Sequence, residues 1–259
     1  MSVLDIKNMI VFDFDGVLIN SLDEVALTAY NAATGSLFTC LAEVSGTPVA
    51  LFKRNRFHVQ QIGDAIALMN WCIENHQFDL TRILSMEEYQ TLATGDTATL
   101  NSRTNLIYET RKRFMDSHPN RWLALHHAYQ PLWNELIRYK KHPLVILTNK
   151  NHEATSRLCR HFGLDINTND IYSGDRGVTK AENMRQIQAR FGIECFSFID
   201  DSVKNLKDLD LEFNEEKKML SLLLATWGYT GPEDAGIARE SGYPVLKQMD
   251  LIRLMESIG

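Results

Sequence analysis

The run Met9-Ile10-Val11-Phe12-Asp13-Phe14-Asp15-Gly16 decides the fold: an unbroken apolar stretch ends abruptly in two acids and a glycine. Such a run fits a strand covered on both faces, as in a parallel sheet. The form recurs along the chain. Leu144-Val145-Ile146-Leu147 ends in Thr148-Asn149-Lys150, Phe196-Ser197-Phe198-Ile199 ends in Asp200-Asp201-Ser202, and Leu222-Leu223-Leu224-Ala225-Thr226 ends in Trp227-Gly228-Tyr229. Helical stretches separate these runs. One opens at Asn151 or His152, carries Ala154, Leu158 and Phe162 on a common face and stops at Gly163. Another runs from about Thr179 to Phe191 and closes at Gly192. Strands alternating with helices predict right-handed crossovers and an α/β fold with a doubly wound parallel sheet.

From about Ser21 to Leu125 this rhythm stops. Asp23 to Ala33, Gln60 to Asn75, Met86 to Leu92 and Asn101 to Met115 read as helices. A mostly helical domain over residues 21–125 is therefore expected as an insertion in an α/β core of residues 1–20 and 126–259. Phe38 to His58 is the segment whose structure is least readable. Glu215-Glu216-Lys217-Lys218 reads as a solvated helix face or loop.

Composition sets outer limits. A chain of 259 residues, 44% hydrophobic and 23% charged, can bury a core without staples. Its net charge of -6 argues against a general nucleic-acid or membrane-surface partner. The apolar stretches around Ile10 and Leu222 are too short to span a bilayer. Cys40, Cys72, Cys159 and Cys195 form no CxxC pair or zinc spacing, so reduced thiols in a cytoplasmic protein are expected. Asp5 and Lys7 precede the first apolar run, so no signal peptide is expected there. Oligomeric state leaves no signal in the sequence.

In open α/β sheets, ligands bind beyond the carboxyl ends of the strands. Asp13 and Asp15, Thr148 and Asn149, and Asp200 and Asp201 all lie at such ends. If their strands are neighbours, the acids converge. Like charges a few ångströms apart do not all stay ionised without a counter-charge. A divalent cation resolves this, and all-oxygen donors select magnesium. Lys180 offers a further positive charge at a helix start. A carboxylate can attack phosphorus, and a second carboxyl two residues on can move the proton. Gly16 lets the chain turn straight after it. The helix beginning near Asn151 is expected to aim its positive end at the same point. Taken singly, each feature has a structural reading as a cap, a turn or a surface lysine.

Together the residues carry a resemblance. Asp13-Phe14-Asp15-Gly16-Val17-Leu18 resembles the first motif of the haloacid dehalogenase superfamily, Thr148 its second, Lys180 its third and Asp200-Asp201 its fourth. Thr148-Asn149-Lys150 and Thr226-Trp227-Gly228-Tyr229 are similar to the phosphoglycolate phosphatase-like branch. In that branch a proline usually follows the lysine, where this chain has Ala181. The resemblance implies a Rossmann-like core with a helical cap inserted after the first strand. It implies Asp13 as nucleophile, Asp15 as general acid and base, and Thr148 and Lys180 as contacts to the phosphoryl group, with Asn149 beside them. It implies Mg2+ held by the Asp13 carboxylate, the Asp15 main-chain carbonyl and Asp201, with Asp200 as ligand or support.

The expected activity is hydrolysis of a small phosphorylated metabolite through an aspartyl phosphate. A phosphomutase would use the same core residues and differ only in the cap. From another class, a phosphoacceptor or silent binding module would share the aspartates, threonine and lysine. Within Lys53-Arg54-Asn55-Arg56-Phe57-His58, Arg54 and Arg56 are the candidates for meeting a substrate anion, and a solvated basic loop is the alternative.

Overall fold

The structure, a computed structural model, describes residues 9–44, 46–75, 77, 79–139, 143–175 and 178–258. Asp5 and Lys7 lie outside them. In chain order the elements begin with β1 (Ile10–Phe12), β2 (Ile19–Asn20), α1 (Leu22–Thr34), α2 (Gly46–Asn55), α3 (Asp64–Glu74), α4 (Met86–Leu92), α5 (Thr97–Ser117) and α6 (Pro119–Leu123). They continue with β3 (His127–Ala128), α7 (Leu132–Arg138), β4 (Val145–Thr148), α8 (His152–His161), β5 (Ile171–Ser173) and α9 (Lys180–Phe191). The last are β6 (Phe196–Asp200), α10 (Val203–Phe213), β7 (Leu220–Ala225), α11 (Asp234–Glu240), β8 (Val245–Leu246) and α12 (Gln248–Ile258). None of the described helices is long and apolar enough to cross a membrane.

The chain divides into two compact units: Met1–Asn20 with Ala128–Gly259, and Ser21–His127. The first is a parallel sheet in the order β5-β4-β1-β6-β7-β8. Its central strands are mostly apolar because both faces are covered. On one face Val11, Val145, Leu147 and Phe198 pack with Met184 and Ile187 of α9 and with Leu206 and Leu209 of α10. The alternate residues Ile10, Phe12, Ile146 and Ile199 are equally buried and point the other way, as a period of two requires. Leu132, Trp133, Leu251 and Met255 complete the buried set from α7 and α12. Where the chain leaves and rejoins this unit, the Tyr129 N–H donates to the Leu18 carbonyl at 3.0 Å.

The second unit is helical. α1, α2, α3 and α5 bury Ala26, Leu51, Phe52, Leu68, Met69, Ile107 and Phe114. Expected and observed helices differ at their ends, where caps decide. Asp96 accepts the Thr99 N–H at 2.9 Å, so α5 starts at Thr97 rather than Asn101. Residues 61–63 form a bend and turn, and α3 starts at Asp64. The unreadable segment contains α2. Its Asn55 side chain donates to the Leu51 and Arg82 carbonyls, each at 3.0 Å, and accepts the Leu84 N–H at 2.8 Å.

Glu24, fully buried, receives Arg111 through two bonds of 2.7 and 3.0 Å and the Thr28 hydroxyl at 2.8 Å. Removing one partner of a buried pair strands the other charge. Arg111→Met is expected to destabilise the protein by about 3–5 kcal/mol. Urea denaturation of the full chain measures it, and a loss below about 1 kcal/mol would mean that the pair is dispensable.

All the cysteines are free. Burial pushes the Cys72 and Cys159 thiols up to about 12. At neutral pH they are therefore poor nucleophiles.

Candidate active site

β1 lies in the middle of the sheet, with β4 on one side and β6 on the other, so the chain reverses direction of build around it. That switch point is where an open parallel sheet leaves a crevice at its carboxyl edge. Asp13 leaves β1 with its N–H on the Ile199 carbonyl at 2.9 Å. A tight loop follows. The Phe14 carbonyl accepts the Leu18 and Ile19 N–H groups at 2.9 and 3.0 Å, and the Gly16 N–H donates to the Ile19 carbonyl at 2.8 Å.

Gly16 sits at φ +87°, and a β-carbon there would run into the Asp201 carboxylate. A β-carbon at Gly228 would run into the Gly16 carbonyl and Asp201. The Tyr229 N–H donates to Asp201 Oδ2 at 2.6 Å, and the Trp227 indole donates to the Val17 carbonyl at 2.9 Å. The loops after β1, β6 and β7 are thus locked against one another around one carboxylate.

Asp13, Asp200 and Asp201 are buried, and each brings a carboxylate oxygen within 4.8 Å of the others. Lys180 opens α9 behind the Thr179 capping box, in which Thr179 Oγ1 accepts the Glu182 N–H at 3.1 Å and Glu182 accepts the Thr179 N–H at 2.7 Å. Its Nζ donates to Asp13 Oδ1 at 2.7 Å and to Asp200 Oδ2 at 2.5 Å. Asp200 also accepts the Ser202 N–H at 2.8 Å and the Asn205 amide at 3.0 Å.

Burial pushes the Asp13 carboxyl well above the usual carboxylate range; Lys180 pulls it back, and Asp200 and Asp201 push it further up. Burial also disfavours the Lys180 ammonium, but Asp13 and Asp200 outweigh this and hold it above the ordinary lysine value. Three crowded carboxylates with hard oxygen donors, two of them sharing a single lysine, fit a divalent cation such as magnesium.

Asp15 is half-buried, and Lys150 Nζ donates to its two oxygens at 3.2 and 3.3 Å. Thr148, buried at the end of β4, accepts the Lys150 N–H on its hydroxyl at 3.0 Å. Asn149 is exposed. At the start of α8 the His152 N–H donates to Asp175 Oδ2 at 2.7 Å. Arg54 and Arg56 belong to the second unit. Arg54 is exposed in the last turn of α2, while the half-buried Arg56 donates to the Val59 carbonyl at 2.9 Å.

The sequence reading gave no role to Lys150, Trp227 or Tyr229. For Lys150 a signal existed: a lysine in the turn just after a strand that ends in threonine. For Tyr229 none did, because the group that bonds Asp201 is its main-chain N–H.

No curated protein matches the sequence. Among solved structures the fold is similar to a HAD family hydrolase from Deinococcus radiodurans R1, solved with bound phosphate and sodium. The two share 20% identity and a TM-score of 0.55 over 97% of this chain and 96% of that one. It is also similar to a predicted phosphoglycolate phosphatase from Haemophilus somnus 129PT, at 16% identity and TM-score 0.54 over 95% and 97% of the two chains. A predicted phosphatase from Clostridium acetobutylicum aligns at 15% identity and TM-score 0.55 over 96% and 97%. At these identities the likeness is one of fold. The family model of haloacid dehalogenase-like hydrolases matches residues 7–207, a stretch that holds the whole acid cluster and Lys180, and the chain belongs to that family.

Proposed function

We propose that the protein is a magnesium-dependent phosphatase acting on a small phosphomonoester through an aspartyl phosphate at Asp13. The observation that carries this reading is the meeting of Asp13 with Lys180, Asp200 and Asp201 at the end of β1, with a second acid, Asp15, two residues on. Magnesium would be held by the Asp13 carboxylate, the Asp15 main-chain carbonyl and Asp201, with Asp200 fixed beside them by Lys180, Ser202 and Asn205. Bound there, it supplies positive charge to the carboxylates and to the phosphoryl oxygens.

In this reading an Asp13 oxygen attacks phosphorus while the ester P–O bond breaks, and the Asp15 carboxyl proton passes to the leaving oxygen. Asp15, now a carboxylate, takes a proton from the water that attacks the aspartyl phosphate. The Asp13–phosphorus bond breaks, and phosphate leaves. Lys180 and Thr148 bind the phosphoryl oxygens, with Asn149 beside them. The free thiols suit the cytoplasm, a reducing compartment.

Core motifs that bind only a phosphoryl group and a metal do not distinguish one ester from another. We assign discrimination to residues 21–125 as a helical cap, with Arg54 and Arg56 as contacts for a second substrate anion. Arg56 also braces its own turn through Val59, so Arg54 is the cleaner probe.

The test has two stages. Purified protein is expected to hydrolyse para-nitrophenyl phosphate with magnesium, and a panel of phosphorylated metabolites then identifies the preferred ester. Arg54→Ala is expected to raise KM for that ester about tenfold, the loss of one charge-assisted hydrogen bond. It should leave para-nitrophenyl phosphate nearly unchanged, since that ester offers no second anion. No hydrolysis of any ester would overturn the phosphatase reading. Equal effects of Arg54→Ala on both esters would remove its substrate role.

A further inference from the structure

Lys150 is a buried charge at the carboxyl edge of the sheet that the reaction outlined above does not use. Its side chain is wholly buried, yet it carries an ammonium into the carboxyl edge of the sheet. Burying an ammonium is costly unless it is paired. Here the fold aims it at both oxygens of Asp15, at 3.2 and 3.3 Å. The direction is set twice. Thr148 Oγ1 accepts the Lys150 main-chain N–H at 3.0 Å, which ties the turn to the end of β4, and β4 pairs with β1 through Val11↔Val145 and Phe12↔Ile146. The Asp15 loop is fixed in turn by Gly16 and by the Phe14 carbonyl.

We propose that Lys150 is a positioning residue that acts through Asp15 on the departure of the leaving group. This rests on the phosphatase reading and deepens it. When Asp15 serves as general acid, its proton moves to the ester oxygen as the P–O bond breaks, and Asp15 changes from neutral carboxyl to carboxylate. Negative charge therefore develops beside Lys150 during that step. An ammonium held against both oxygens stabilises the developing charge more than the neutral acid it starts from. Such a gain in the transition state over the ground state is what speeds a step. The fork of contacts also fixes the rotation of the carboxyl. Lys150 and Lys180 thus divide the site, the first facing the acid and the second facing the nucleophile.

The contribution depends on how much the leaving group needs a proton. An alkoxide needs it; para-nitrophenolate, stable as an anion, hardly does. General acid catalysis is worth about 10²–10⁴-fold where it operates. The experiment compares kcat/KM for ethyl phosphate and para-nitrophenyl phosphate in wild-type protein, Lys150→Met and Lys150→Arg, with magnesium saturating. That parameter reports the step in which the leaving group departs, whichever later step limits turnover.

Lys150→Met is expected to lose about 100-fold or more on ethyl phosphate and less than about tenfold on para-nitrophenyl phosphate. Lys150→Arg keeps a cation and should recover most of the ethyl phosphate activity. Circular dichroism establishes that each variant is folded; if Lys150→Met is not, Lys150→Gln carries the same comparison. Equal losses on the two esters, or none on either, would overturn the role of Lys150 and leave the phosphatase reading intact. Wild-type protein inactive on both esters would overturn both.

Discussion

Replacing Asp13 with asparagine is expected to lower kcat/KM for para-nitrophenyl phosphate by about four orders of magnitude or more, the scale on which loss of a covalent nucleophile acts. The change is nearly isosteric. It also removes one charge from a crowded, buried cluster, so the fold should survive and become no less stable. This combination separates chemistry from folding: activity disappears while the thermal transition stays or moves up. In wild-type protein, phosphate from a labelled ester should become acid-trapped on the chain, and in Asp13→Asn it should not. Substantial turnover in pure Asp13→Asn protein would remove Asp13 from the nucleophile's place.

Chelation is the second large effect. Activity is expected to fall to background with a chelator and to return with magnesium, whereas calcium, with its larger and looser shell, should restore it poorly. A readout free of catalysis accompanies it. Magnesium bound only to the folded chain adds about 2.7 kcal/mol at a hundred times its Kd, which should raise Tm by several degrees. The two acids after β6 should differ. Asp200 is held by hydrogen bonds from Ser202, Lys180 and Asn205, whereas Asp201 accepts the Tyr229 N–H on Oδ2 and stands in the same acid cluster. Asp201→Ala should therefore weaken magnesium binding more than Asp200→Ala in a Tm titration. Full activity in metal-free buffer would sink the metal assignment, and the reverse ranking would exchange the two acids.

The parts of the fold that sequence reveals are those whose burial is symmetric. β1, β4, β6 and β7 are enclosed on both faces, and their apolar runs show it. β5 and β8 lie at the sheet edges and are three and two residues long, too short for any periodicity, so neither was anticipated. α2 hid in the Phe38–His58 segment because its polar half, Lys53-Arg54-Asn55, reads as loop; its helicity comes from burying Leu51 and Phe52. In the site, Asp13, Lys180, Asp200 and Asp201 meet as their positions at strand and helix ends implied. What sequence could not convey are contacts that depend on three-dimensional aim. One is the reach of Lys150 back to Asp15. Another is the Asp175 carboxylate on the first amide of α8, a residue of no apparent consequence in the sequence.

The hydrogen bond between Tyr129 and Leu18 bears on how such a chain can change over time. The stretch between them begins and ends at what is nearly one point of the sheet unit, although it makes up a large part of the chain. To the sheet, that stretch is a loop whose closure is already made, and closure entropy grows only slowly with length. Lengthening, shortening or exchanging the helices there makes little demand on the strands that carry Asp13, Thr148 and Asp200. The sequence of that stretch can therefore drift, by grafting at a single junction, while the residues at the strand ends stay fixed.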